Sequence, residues 1–559
     1  MCCQESQMPT EPCIFKSPLD RDISKLPECP IYDFLYQKII ERGMDKTDKP
    51  WVVDTSTGTT VYFKDIDPHS RNVGSALTRL GFKNRDILYF VTYETSVLYL
   101  IQLGIWRIGG GARGGFQGEA PEEFARQMRE SKSRFVLVDK ETYSKMLEAV
   151  KLLSWPVTVI SFDDVGNPDV VLVTSLIEDD GTALPEKVDI KPKENIICIP
   201  NTSGSTGLPK GVCHTHFSFT TLNFDPKAVD VFSGPFMTPM SNYANGSYMV
   251  TCSSIYYGST VFHLGKFQKE SYFDVMAKYK PGNVLMYPFV ANWFARCDDF
   301  EKYDLSFLKL ITIVGSVLDP TTAKLINQKL PGAKIVQFYG MTEVINVSNT
   351  QVDDPENEFI NKNLASKENM GELCVTSGKL VPYVEAKILD VNTGNTLGPN
   401  ERGELYVKTP MLMKGYLREG HEMPVLEDVT EDGFFKTGDI AFFDENSNIY
   451  ILERTSFLFK YYMFIVSPTE IETCIKQHPD VLEVGVVDIP NPECTSVARA
   501  FIRKKPNSKC TEADLVKFVA DRLPEHKQLH GGVQFVDKLP ESKGNKLDRN
   551  ALKKMALTS

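Results

Sequence analysis

The sequence predicts an α/β protein with a large N-terminal domain of parallel sheets plus a small β-barrel, followed by a smaller α+β C-terminal domain. Three observations lead there. From about Asn72 near-continuous apolar runs alternate with segments of helical spacing; after about Gly371 the texture changes to short strands broken by turn residues; near Arg454 it changes again, to a compact mixture of capped helices and strands. The 559 residues, 42% of them hydrophobic, suffice for several packed cores.

Taken in order, "NVGSALTRLGF" carries helical spacing, "DILYFVTY" is a β-rich run, "SVLYLIQLGIWRIGGGA" is helical again, and "RFVLVD" and "PVTVISFDD" are short buried-strand runs. The rhythm returns in "ENIICIPNTSGSTG", "GNVLMYP", "LKLITIVGS" with Gly315, and "AKIVQFYG", each a strand running into a turn. Ligand groups are expected where such parallel strands end. "VEAKILDVNTGNTLGPNERGELYVKTP" reads as the small barrel or sandwich. Beyond it, "SPTEIETCIKQHPDV" is a helix capped by Ser467 with Pro468 at its first position, followed by "LEVGVVDIP", "ARAFIRKKP", the Thr511-capped helix "TEADLVKFVADRL" and "GGVQFVD". The expected division is 1–455 and 456–559, with 1–30 as a flexible tail.

Composition narrows the partners. Sixty-two basic against 73 acidic residues give a net charge of −11 without long runs of one sign, so there is no basic footprint for nucleic acid or anionic lipid. A small molecule is the expected partner. The apolar stretch around Ser96 to Trp106 falls short of the roughly 18 residues that a membrane span needs. Twelve cysteines lack a C-x-x-C pair, which fits a reducing compartment. "MCCQESQMPTEPC" has no apolar signal-peptide core, and "ALTS" is not the S-K-L type of peroxisomal address, so a cytoplasmic protein is expected; oligomeric state is not legible.

Chemistry concentrates in "NTSGSTGLPKG". Gly204, Gly207 and Gly211 allow backbone N–H groups to turn inward, Thr202, Ser203, Ser205 and Thr206 add hydroxyl donors, and Lys210 adds a charge. Such a loop grips phosphates; its bland alternative is a flexible surface linker. It is not a Walker A loop, because Lys210 follows Pro209 and precedes Gly211 instead of standing between glycine and a hydroxyl residue.

"TSGSTGLPKG" resembles the phosphate-binding signature of the AMP-forming adenylating enzymes, the superfamily of acyl-CoA synthetases, 4-coumarate:CoA ligases, firefly luciferases and peptide-synthetase adenylation domains. "QFYGMTE", "GKLVPYVEAKILD", "GELYVKTPMLMKGYL", "GFFKTGDIAFFDENSNIYILER" and "LPESKGNKLDR" resemble further segments of that family, in its order, over about residues 70 to 550. The resemblance implies a mobile C-terminal domain and a two-step reaction. A carboxylic acid attacks the α-phosphate of MgATP, pyrophosphate leaves, and the acyl group passes from AMP to a thiol, usually that of coenzyme A.

It also implies roles. The loop would hold the β- and γ-phosphates, Glu343 would ligate magnesium, Thr342 would bond the α-phosphate, and Tyr339, beside Gly340, would stack on adenine. Asp439 would take the ribose hydroxyls with Arg454 in support, and Lys546 would bridge carboxylate and α-phosphate during adenylation. Without the resemblance, Thr342–Glu343 reads as a helix cap, Asp439 as a turn residue, and Arg454 and Lys546 as solvated surface charges.

Departures cluster on the thiol-transfer side. The family's K-Y-K-G turn reads Lys460, Tyr461, Tyr462, Met463 here, its neighbouring glutamine is Ile465, and the hinge position is Ser456. The histidine of the family's acyl-pocket segment is Asn242, Phe338 replaces a glycine, and the closing S-G-K reads Gly544, Asn545, Lys546. Three readings follow: an acid:CoA ligase for a fatty or aryl acid, an adenylating enzyme of luciferase type that makes no CoA thioester, or a paralogue that binds without turnover.

Overall fold

Near-continuous apolar strands can be buried on both faces only if helices cover them, and that demand organises the larger part of the chain. The computed structural model describes residues 13–558 except 20, 203–208, 226–229, 266–267, 319, 351–365, 370–371, 463 and 543–546. Two mixed sheets form the frame. One has eight strands, with a parallel centre built from Gly111–Gly114, Ile87–Val91, Phe135–Val138 and Thr158–Ser161. The other has nine, with Asn283–Met286, Leu310–Val314 and Lys334–Tyr339 in parallel register. The apolar helices Ser96–Arg107 and Asn245–Tyr257 are buried along nearly their whole length, which explains why neither shows a polar face in the sequence. No helix among the described residues is long and apolar enough to cross a membrane.

The β-rich segment after residue 371 contributes to a five-stranded antiparallel sheet containing Glu385–Leu389, Gly403–Lys408, Phe435–Phe443 and Ile449–Arg454. Its fifth strand corrects an expectation. Residues 13–30 are not a loose tail throughout: Phe15–Lys16 pairs with Glu385 and Ala386, Phe15 stacks on Phe443 at 4.0 Å, and the Ser17 hydroxyl donates to the Leu380 carbonyl at 3.0 Å.

The smaller C-terminal domain has an antiparallel sheet whose long pair is Val481–Asn491 and Thr495–Lys504, with Val533–Phe535 added in parallel. Helices Pro468–Lys476 and Glu512–Ala520 start at the caps read from sequence: Ser467 accepts from the Glu470 N–H, and Thr511 forms a capping box with Asp514. Ile471, Ile475, Val486, Ala500 and Leu515 meet in a core of its own.

Candidate active site

The described ends of the glycine- and hydroxyl-rich segment form the two legs of an antiparallel strand pair. Strand Ile196–Cys198 leads into it, Gly211–Thr215 returns antiparallel, and the base is closed by Thr202 N–H donating to the Lys210 carbonyl at 2.9 Å and Lys210 N–H donating to Thr202 Oγ1 at 3.3 Å. A closed base removes the surface-linker alternative for its two legs. Ser203, Gly204, Ser205, Thr206 and Gly207 lie outside the described residues.

Strand Gly415–Leu417 pairs antiparallel with Gly211–Thr215, and the register sets Tyr416 opposite Val212. Tyr416 thereby joins two separate motifs. Lys210 Nζ lies 4.6 Å from its ring centroid, and its hydroxyl donates to Glu343 Oε1 at 2.8 Å. Burial and the Glu343 charge push the Tyr416 hydroxyl far above its ordinary range, so it remains a donor at any working pH.

Glu343 stands in a tight turn after strand Lys334–Tyr339. Met341 N–H donates to the Val344 carbonyl at 2.9 Å and Met413 N–H to the Glu343 carbonyl at 2.8 Å. No helix follows; the next element is the strand Ser348–Asn349, so Thr342–Glu343 is not a helix cap. The turn requires glycine at 340, where a Cβ would lie 2.4 Å from the Ile345 carbonyl oxygen. Gly315 occupies the equivalent place after the neighbouring strand Leu310–Val314 with φ +89°.

Tyr339, the last residue of its strand, donates its hydroxyl to Asp439 Oδ2 at 2.6 Å. Asp439 Oδ1 pairs with Arg454 Nε at 2.8 Å, and Arg454 also donates to the Thr437 carbonyl at 3.1 Å. Asp439 and Arg454 are cross-strand partners, so sheet register alone brings them together. Asp439 is a strand residue only 4% exposed, not a turn aspartate. A buried carboxylate held by one guanidinium and one phenol, beside an aromatic ring at a strand end, presents two acceptor oxygens next to a flat stacking surface.

The family follows from the chain as a whole. The model of the AMP-binding enzyme family matches residues 41–417, and that of the AMP-binding enzyme C-terminal domain matches residues 470–546. The chain belongs to the AMP-binding enzyme family. Relatives include a luciferin 4-monooxygenase of Nipponoluciola cruciata, 32% identical over 66% of this chain and 65% of its own length, and a 4-coumarate–CoA ligase of Humulus lupulus, 26% identical over 98% and 97%. Among solved structures, ATP-bound MatB from Rhodopseudomonas palustris superposes with a TM-score of 0.80 at 21% identity, covering 95% of this chain and 99% of MatB; this shows the shared fold.

In this AMP-binding enzyme two buried histidines, which the sequence does not single out, hold distant segments together. His214 Nε2–H donates to the Thr342 carbonyl at 2.7 Å, tying the hairpin strand to the turn, while Ile31 N–H donates to His216 Nδ1 at 3.2 Å. Burial brings His214 down to about 4 and His216 to about 3, from an ordinary 6.5. The unfolded chain therefore takes up these protons at higher pH than the folded one. The stability contributed by keeping both rings neutral is complete above pH 6.5 and is lost as pH falls through 6.5 toward 4 and 3. Thermal midpoints should fall steeply over that window, and His214→Gln should flatten the pH dependence; an unaltered profile in the variant would contradict the assignment.

The remaining sequence-predicted residues fall elsewhere. Lys460 lies on the exposed face of the C-terminal hairpin Phe459–Tyr461/Phe464–Val466, where no hydrogen bond or ion pair among the described residues joins it to the cleft. Met463 and Lys546 lie outside the described residues. Asn242, in place of the family's histidine, is a buried lock: its amide donates to the Glu94 carbonyl at 2.7 Å and its oxygen accepts from the Thr95 hydroxyl at 3.1 Å. Next to it Tyr243 meets Phe116 edge-on at 5.6 Å, and burial followed by the proximity of Tyr243 pushes the Tyr287 hydroxyl up to about 12.

Outside the cleft, His478, Asp480 and Cys510 bring their ligand atoms within 4.8 Å of one another. His478 Nδ1 accepts the Asp480 N–H at 3.2 Å, and burial raises the Cys510 thiol.

Proposed function

We propose that the protein uses ATP to convert a carboxylic acid into an acyl adenylate and then passes the acyl group to coenzyme A. The observation that carries this reading is the meeting of Tyr339, Asp439 and Arg454 at one strand end, with Glu343, Tyr416 and Lys210 forming a second linked set at the phosphate-loop hairpin. On this reading Tyr339 stacks on adenine, Asp439 accepts the ribose hydroxyls, and Thr202, Lys210 and the loop between them hold the β- and γ-phosphates. A carboxylate oxygen of the acid attacks the α-phosphorus, the bond to the bridging oxygen breaks, and pyrophosphate leaves with the electron pair. Glu343 is a hard oxygen donor suited to magnesium, which offsets phosphate charge when bound; Tyr416, by taking Oε1, orients the carboxylate. Lys546, carried by a C-terminal lid beginning near Ser456, reaches the approaching carboxylate and the α-phosphate. In the second step the thiol sulfur bonds to the carbonyl carbon, loses its proton, and AMP departs.

Phe116 meets Tyr243 edge-on and Tyr243 lies near Tyr287; on this reading these rings face the acid and favour a fatty or aryl one. The CoA ligases among the relatives support the thioester step. A specific observation favours a second reading, adenylation without CoA transfer: Tyr462 holds φ +50° and is 56% exposed, and Phe464 is 50% exposed, so bulky rings crowd the turn where the family has K-Y-K-G. Purified protein offered MgATP and a panel of fatty and aryl acids separates the readings. Acid-dependent pyrophosphate release with a thioester mass in the presence of CoA supports the first; acyl-AMP without thioester supports the second; no turnover across the panel refutes both.

A further inference from the structure

Two arginines in the sequence look like solvated charges and are not. Arg113, in "GGGARGGF", occupies the strand Gly111–Gly114 and is fully buried, and Arg126 lies on the helix Pro121–Ser131. Each holds one leg of the glycine-rich hairpin. Arg113 donates to Asn201 Oδ1 at 3.0 Å on the incoming leg, and Arg126 donates to the Pro209 carbonyl at 2.9 Å on the outgoing leg. Glu130 joins them, one carboxylate oxygen accepting from Arg113 at 2.8 Å and the other from Arg126. The incoming leg has a second hold, since the Asn201 amide donates to the Gly114 carbonyl at 3.0 Å. The outgoing leg is shaped around the same group: a Cβ on Gly211 would lie 3.0 Å from an Arg113 guanidinium nitrogen.

Charge decides what these arginines do. Arg113 is occupied by Glu130, Asn201 and the Gln127 carbonyl, and Arg126 by both oxygens of Glu123 as well as Glu130 and Pro209. Two guanidiniums against two carboxylates leave no net charge to offer an anion, so neither is a phosphate ligand. What the network fixes is the spacing of the two legs.

We propose that Arg113 and Arg126, coupled through Glu130, are positioning residues that hold the two legs of the hairpin, at Asn201 and Pro209, at a fixed spacing before nucleotide arrives. This rests on the reading that the 203–208 loop holds the β- and γ-phosphates. A fixed spacing of the legs at Asn201 and Pro209 lowers the ordering cost of binding a triphosphate and leaves groups that meet only adenine, ribose and the α-phosphate unaffected.

The test compares ligands that differ only in those phosphates. In the full-length Arg126→Gln variant, ATP and inorganic pyrophosphate should bind about tenfold more weakly, while AMP affinity and the thermal midpoint stay near wild type. AMP affinity falling in step with ATP would mark a merely structural role and overturn the proposal, as would unchanged ATP affinity. Should Arg126→Gln not fold, Glu130→Gln, which keeps the shape and weakens both guanidinium contacts, is read with the same three ligands. Wild-type protein that binds AMP but gains nothing from the added phosphates of ATP would overturn the underlying reading of the loop itself.

Discussion

Lys546→Ala lowers acid-dependent adenylate formation by about a hundredfold or more while ATP affinity changes by less than about threefold. The asymmetry follows from where charge develops. On the proposed reading ATP binds through the adenine, ribose and phosphate-loop contacts, whereas a cation bridging the incoming carboxylate and the α-phosphate is most needed as two anions meet. The segment bearing Lys546 is tied down on its far side. Asp548 N–H donates to the Pro540 carbonyl at 2.9 Å, Glu541 bridges Leu547, and Arg549 grips both oxygens of Glu472 at 2.5 and 2.9 Å. Pyrophosphate release under saturating acid, read beside direct ATP binding, checks the split; undiminished release in the variant would remove Lys546 from the chemistry.

The second large effect is expected at Asp439. Asp439→Asn should cut kcat/KM for ATP by about a hundredfold, because one change removes a charged acceptor for the ribose and leaves Arg454 facing a neutral amide. Asparagine keeps the volume in a site that is nearly closed to solvent, so a loss of activity without a collapse in thermal midpoint isolates recognition from folding. Tyr339→Phe is the matched control. It keeps the ring that would stack on adenine and removes only the hydroxyl that donates to Asp439 at 2.6 Å, so its loss should be under about tenfold. Equal losses at both positions would mean that the hydrogen bond, and not the ribose contact, matters.

Parts of this site can be read from sequence because their spacing is local. The strand-turn texture of "QFYGMTE" places Tyr339, Thr342 and Glu343 at a strand end, and the structure has them there. "KTGDI" and "ILER" lie on adjacent strands of one hairpin, so Asp439 and Arg454 meet by register. What the sequence hides is long-range pairing. Tyr416 gains its role only through pairing with a strand some 200 residues earlier, and Phe15–Lys16 is a two-residue strand whose partner comes after residue 384. Neither leaves a periodic signal. Arg113 is hidden for a different reason. An arginine among glycines reads as a solvated loop, and only the convergence of Glu130, Gln127 and Asn201 makes its burial affordable.

The departures from the family pattern gather at the C-terminal hairpin Phe459–Tyr461/Phe464–Val466. Tyr461 stacks on His530 and Phe464 on His526, at 5.3 and 4.5 Å, so the rings flanking the altered positions Tyr462 and Met463 are held by neighbours.

Acid activation is the central claim, and ATP–pyrophosphate exchange measures it without any thiol. With magnesium, ATP, labelled pyrophosphate and a panel of fatty and aryl acids, label should enter ATP only when an acid of the right shape is present, and should fail to do so in Lys546→Ala. Exchange that proceeds equally without acid, or none across the panel with protein that binds ATP, would contradict the account.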